Sequence, residues 1–164
     1  MELNIVLEYI TLFVLQYVPN GLIYILAGYA FSRRTIDIKK YLFSSTILAV
    51  LGFATKILSE TKLLNTSNSV PQILILFACI FLLVIVNKIV VVKAIISSLT
   101  VMLLQVFFEG IYILLVLKSI FKLDVHKIFE ESVFKQSVLG LPNLILMAIS
   151  ILLFYKVMMK RRTE

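Results

Sequence analysis

Five apolar runs, separated by short clusters of Lys and Arg, constrain this sequence more than any other feature. They cover about residues 3–32, 41–58, 72–87, 94–117 and 142–159, and ionisable side chains are scarce inside them. An α-helix needs about 20 consecutive apolar residues to cross the ~30 Å hydrocarbon core of a bilayer. Composition agrees with that reading. The 164 residues are 61% hydrophobic and 15% charged, against about 45–50% and about 25% in soluble domains. A soluble fold of this length has too little interior to hide so much apolar side chain. The expected fold is therefore all-α, a polytopic transmembrane helical bundle of about five spans forming a single integral membrane domain over residues 1–164, and the lipid bilayer is its first partner.

The first run contains "QYVPNG". Pro19 removes a backbone donor in mid-helix, so a kink is expected there and Pro19 is the natural hinge. The run closes on "SRRTIDIKK". After the second run a polar loop, "SETKLLNTSNSVPQ", places Pro71 at the start of the third helix, which ends at Asn87-Lys88. The fourth and fifth runs are joined by "LDVHKIFEESVFKQSVLG". There Val125, Ile128, Phe129, Val133, Phe134 and Val138 fall along one helical face, with Lys127, Glu130, Glu131 and Lys135 largely opposite. Residues 124–139 therefore read as an interfacial amphipathic helix with Asp124 as its cap, a cover for the outer mouth of the bundle. The last span is expected to begin at the "GLPN" break, with Pro142 in its first turn, and to stop at "KRRTE".

The sixteen Lys and Arg residues orient the chain. With the N-terminus outside, ten of them (Arg33, Arg34, Lys39, Lys40, Lys88, Lys93, Lys156, Lys160, Arg161 and Arg162) fall on the cytoplasmic side. The other six (Lys56, Lys62, Lys118, Lys122, Lys127 and Lys135) fall outside, in line with the positive-inside bias. An odd number of spans then puts the C-terminus in the cytoplasm of a plasma membrane. The same clustering accounts for the net charge of +7 without nucleic acid, because the cations flank apolar runs instead of lining an amphipathic face. The opening "MELNIVLEYI" carries Glu2 and Glu8 where a signal peptide has a basic region, and it reads as the start of a retained helix.

The stretch "LLQVFFEGIYILL" raises the question of function, since it sets Glu109 inside a span. Ala94, Ser98, Gln105, Glu109 and Tyr112 recur at helical spacings on one face. A charged group facing lipid costs ~2.5–3.5 kcal/mol at the membrane centre, so this stripe should turn towards protein or water. Counted from Lys93, Glu109 stands ~24 Å along the axis, in the outer third of the membrane. In the second run Tyr41, Ser45, Ala49, Gly52 and Lys56 share a face whose small members allow close helix approach, and Lys56 reaches a similar depth. A Lys56–Glu109 pair follows as a specific expectation. The first run adds Tyr9, Gln16, Asn20 and Tyr24. The candidate polar cluster is thus Glu109, Lys56, Gln105, Gln16, Asn20 and Tyr112, converging on an outward-facing cavity. The plainer reading treats the amides as interhelical glue worth ~1 kcal/mol each, Glu109–Lys56 as a structural ion pair, and Lys56 as snorkelling to the headgroups.

Other chemistry is poorly supplied. His126 and Cys79 are single and lie on different segments, so neither a zinc site nor a disulfide is expected. Cys79 in "LFACIFLL" is a poor nucleophile, because apolar surroundings disfavour a thiolate. Tyr41, Phe43 and Tyr155 read as interfacial aromatics. Phosphate-loop and H-E-x-x-H patterns are missing. No cofactor and no metal are expected.

Three features together, the "SRR…KK" loop after a long first span, the acid at Glu109 in the fourth, and the amphipathic lead through Gly140, Leu141, Pro142 and Asn143, resemble the membrane-embedded regions of Gram-positive sensor histidine kinases of the GHKL ATPase type and their companion small membrane proteins. Such kinases continue into a cytoplasmic catalytic domain, whereas this sequence reaches Glu164 without a phosphoacceptor histidine or an ATP-binding segment. The resemblance implies a sensor or regulatory module acting with a separate partner.

The leading expectation is a non-enzymatic bacterial membrane sensor that reads an outer-face ligand or the membrane state and signals to a partner, such as a kinase, or through a homo-oligomer. The first alternative is the small substrate-binding membrane subunit of a transporter, docked to a coupling subunit through the small-residue face at Ser45 and Ala49. A membrane enzyme is the second. It would need a further catalytic group beside Glu109, for which Lys56, Tyr112 and Tyr9 are the candidates.

Overall fold

The computed structural model describes residues 2–60, 69–112 and 133–163. Its regular elements are all helical, with no strand among the described residues. The first pass through the bundle is made by α1 (Glu2–Leu12), a π-helical turn (Phe13–Tyr17) and α2 (Val18–Ser32). The bilayer-length run thus forms one continuous rod, and the disturbance expected at Pro19 takes a definite shape just ahead of it. Pro19 cannot donate a backbone bond, and its ring would crowd the carbonyl of Leu15 four residues earlier. In the wider turn the Val18 N–H donates back to the Phe13 carbonyl, five residues away, which opens the ladder where the ring needs room.

The next helices are α3 (Ile38–Glu60), α4 (Ser69–Ile85) and α5 (Val91–Ile111). The last, α6 (Val133–Thr163), carries Pro142 in its interior. The break expected at "GLPN" is absent, since the helix runs through Gly140, Leu141, Pro142 and Asn143, while its membrane-length apolar stretch, Gly140–Arg161, does begin there. One proline removes a single i→i−4 bond, and the turns on both sides keep theirs. Residues 124–132 of the proposed amphipathic connection lie outside the described residues, while residues 133–139 belong to α6.

Among the described residues, four helical stretches are long and apolar enough to cross a membrane: Val6–Ser32, Ile38–Ser59, Val91–Ile111 and Gly140–Arg161. The apolar part of α4 is shorter, Gln72–Ile85, and the whole of α4 is ~26 Å long at 1.5 Å per residue. It nevertheless joins the two ends of the bundle. Its first turns lie near Thr55, Lys56 and Ser59 of α3, and its far end meets Tyr29 and Ser44.

At the centre stands α2, which packs on α3, α5 and α6 and touches α4. Residues Ile23 to Ala30 are buried on every side, as expected of a helix at the middle of a bundle. Close approach is built into it: a methyl group added at Gly21 would collide with the backbone carbonyl of Ser45 on α3. The outer surface is the reverse of a soluble protein's. Leu103 is 70% exposed, Ile38 68% and Phe77 64%, a girdle of large apolar side chains that suits lipid and would be poorly solvated by water.

Candidate functional site

Polar side chains from four passes line a cavity of about 440 Å³ at the end of the bundle where α3 finishes and α4 begins. Gln16 comes from the π-turn and Asn20 and Tyr24 from the first turns of α2, where the wider helical turn re-aims the side chains on either side of it. The last turns of α3 bring Thr55, Lys56 and Ser59, α4 contributes Gln72, and α5 brings Gln105 and Glu109. Leu48, Ile75, Leu76, Met102 and Val106 supply the apolar wall.

Of the residues singled out in the sequence, Gln16, Asn20, Lys56, Gln105 and Glu109 therefore face one space. Tyr112, half-buried at the end of α5, is not part of the lining. Lys56 and Glu109, expected as a pair, share the lining of this cavity. The floor is fixed by Tyr24, whose hydroxyl donates to Gln105 Oε1 at 3.0 Å and ties α2 to α5. Beside it, Asn20 Oδ1 is buried without a hydrogen-bond partner, as are Ser45 Oγ and Asn143 Oδ1. Gln16 packs its amide against Gly140 of α6, where an added methyl would lie 2.6 Å from Nε2. Beside the cavity an aromatic cluster centred on Phe53 holds the π-turn to α3, with Phe13 and Tyr17 edge-on at 5.3 and 5.7 Å.

The opposite end has another character, which no local pattern announces. Asn87, read only as the end of an apolar run, sits buried at the junction of α2, α3 and α4. The Tyr29 hydroxyl donates to its Oδ1 at 2.8 Å, while its Nδ2 donates to Ser44 Oγ at 2.8 Å and to the Leu82 carbonyl at 3.0 Å. A guanidinium N–H of Arg34 donates to the Lys88 carbonyl at 2.7 Å. Arg33 and Lys88 both adopt left-handed backbone, with φ of 53° and 56°. Arg33 closes α2 in a Schellman arrangement, its N–H meeting the Ala30 carbonyl and that of Arg34 meeting Tyr29. Next to it, Asp37 caps α3. Its carboxylate accepts from the Lys40 backbone N–H and pairs with the Lys40 ammonium at 3.0 Å. The Lys40 side chain first, then its backbone N–H, hold the Asp37 carboxyl below the usual carboxylate range.

Two smaller expectations are revised. Tyr41 turns inward instead of lying at the interface, stacking edge-on to Tyr29 at 6.2 Å and donating to the Leu22 carbonyl. The small face at Ser45 and Ala49 is filled by Gly21 of α2. Cys79 is buried and accepts from Ser98 Oγ at 3.3 Å. His126 lies outside the described residues, and among the described residues no cluster of three or more His, Cys, Asp or Glu is placed to hold a metal ion.

In class, then, the described residues form an all-helical bundle with four candidate membrane-spanning helices and a polar cavity at the end remote from its densest cations. No protein-family model, no curated protein and no solved structure matches the chain.

Proposed function

We propose that the chain is a non-catalytic sensor or regulatory module of a bacterial plasma membrane, crossing it five times with the N-terminus outside and the C-terminus in the cytoplasm. α4 counts as the fifth span in this reading because it connects the cavity end to the Asn87 junction. The end bearing Arg33, Arg34, Lys39, Lys40, Lys88 and Lys93 is cytoplasmic by the positive-inside bias, so the cavity opens outward. A ligand that fits one arrangement of α2 better than another shifts the population of that arrangement, and α2 carries the change from the cavity to the basic end, where a protein partner reads it. The observation that carries this reading is the pairing of a polar cavity at one end of α2 with the Tyr29–Asn87–Ser44 junction at the other.

The rival importer subunit has the same outward cavity. The docking face that would have favoured it, Ser45 and Ala49, is occupied within the chain by Gly21. The two readings separate by co-purification in mild detergent followed by an uptake assay. A sensor is recovered with a signalling partner whose activity changes on its deletion while uptake does not. Recovery with an ATPase and loss of net uptake would overturn the proposal.

A further inference from the structure

The cavity also carries information about the chemistry of its occupant. Glu109 presents a carboxylate that meets no hydrogen bond or ion pair among the described residues, and Asn20 adds a buried carbonyl oxygen without a donor. Both are acceptors. Only the Asn20 oxygen is enclosed, and an acceptor shut away from water without a donor is unfavourable; beside it the exposed Glu109 carboxylate lends a negative charge to the lining, which makes an N–H-rich cation their fitting complement. Lys56 brings a positive charge to the same lining whatever else it touches. Leu48, Met102 and Val106 provide apolar surface between these groups. The volume, about 440 Å³, falls within the range of about 300–1,000 Å³ that holds small metabolites.

Resting on the outward-open cavity proposed above, the geometry points to a zwitterionic ligand of the amino-acid or short-peptide class with an apolar side chain. Its ammonium is held by Glu109 and Asn20, its carboxylate lies towards Lys56, and its side chain rests on Leu48, Met102 and Val106. A ligand of this kind satisfies the acceptors while adding no net charge to a site set in lipid.

The experiment is thermal stabilisation and calorimetric binding with the full chain in lipid nanodiscs. The probes are leucine, leucyl-leucine, leucinamide, isocaproate and glycerophosphoethanolamine. Leucine or leucyl-leucine is expected to bind at least about tenfold more tightly than isocaproate, which lacks the ammonium, and than leucinamide, which lacks the carboxylate, since a hydrogen bond to a charged group is worth about that factor. Glu109→Gln should erase the advantage over isocaproate, and Lys56→Gln the advantage over leucinamide. Because the analogue series is run on the unaltered chain, the test stands even if a variant fails to fold. Equal binding of isocaproate, or preference for glycerophosphoethanolamine, would overturn the assignment, the latter in favour of a lipid headgroup. A cysteine at position 105 that is labelled from outside while none of the probes binds would also overturn the ligand class but leave the cavity reading intact. A cysteine there that resists labelling would remove that reading itself.

Discussion

At the basic end of the bundle Asn87 engages every hydrogen-bonding atom of its side chain across three helices, whereas at the other end Asn20 keeps a buried carbonyl without a donor. Asn87 is buried between helices, whereas Asn20 is partly buried and lines the cavity. One is fully matched within the protein, the other faces the cavity. A buried acceptor without a donor costs about 1–3 kcal/mol, whereas each polar atom of the Asn87 side chain is paired. A central helix matched at one end and less so at the other suits the proposed transmission of a change from the cavity to the basic end.

The comparison can be broken most severely at the Asn87 junction. Asn87→Ala leaves the Tyr29 and Ser44 hydroxyls without their partner, whereas the Leu82 carbonyl keeps its backbone donors, and stability should fall by about 2–3 kcal/mol in reversible unfolding from mixed micelles. Next in size is Gly21→Ala. Its methyl meets backbone at Ser45 and must push α2 from α3, an overpacking cost of about 1–3 kcal/mol. Gly140→Ala is the control, since it meets only the movable amide tip of Gln16 and should cost clearly less. Asn20→Leu sharpens the contrast from the cavity side: removing an unmet acceptor should leave stability within about 1 kcal/mol of the parent, or raise it, while the ligand response disappears.

The smallest effect is expected at Asp37. Its carboxyl titrates below the usual range because Lys40 stabilises the charged form. The stability it adds is therefore fully present above the ordinary Asp range and is lost as pH falls through the lowered value. Asp37→Asn should lower the melting temperature slightly at neutral pH, and the difference should vanish in strong acid. A difference that grew on acidification would contradict the cap.

Much of this architecture could be read from the sequence because lipid simplifies the problem. The apolar runs had to become rods, and the 3.6-residue period alone placed Gln105 with Glu109, and Gln16 with Asn20, on common faces. What stayed hidden depends on distant partners. Nothing near Asn87 announces Tyr29 or Ser44, which lie 58 and 43 residues away in the chain. The fit of Gly21 against Ser45 fixes which side of the small face of α3 is used, and residue size alone leaves that open. Proline chemistry alone does not fix how the backbone responds: ahead of Pro19 it widens into a π-turn, and at Pro142 the helix continues. Tyr112 shares its helical face with Glu109 yet falls past the end of the cavity, because a stripe of spacing fixes an angle around the rod and not the height at which the neighbouring helices close.

The central claim, that hydrophilic side chains gather into a space open to the outside while their neighbours face acyl chains, is tested most directly on α5. Single cysteines at positions 103, 105, 107 and 109, in a Cys79→Ala background, are exposed to a membrane-impermeant maleimide on intact cells. Positions 105 and 109 should react, whereas 103 and 107, where Leu103 and Phe107 are among the most exposed apolar side chains, should stay unmodified in the bilayer. Reaction at 103 and 107 with protection of 105 and 109 would contradict the account.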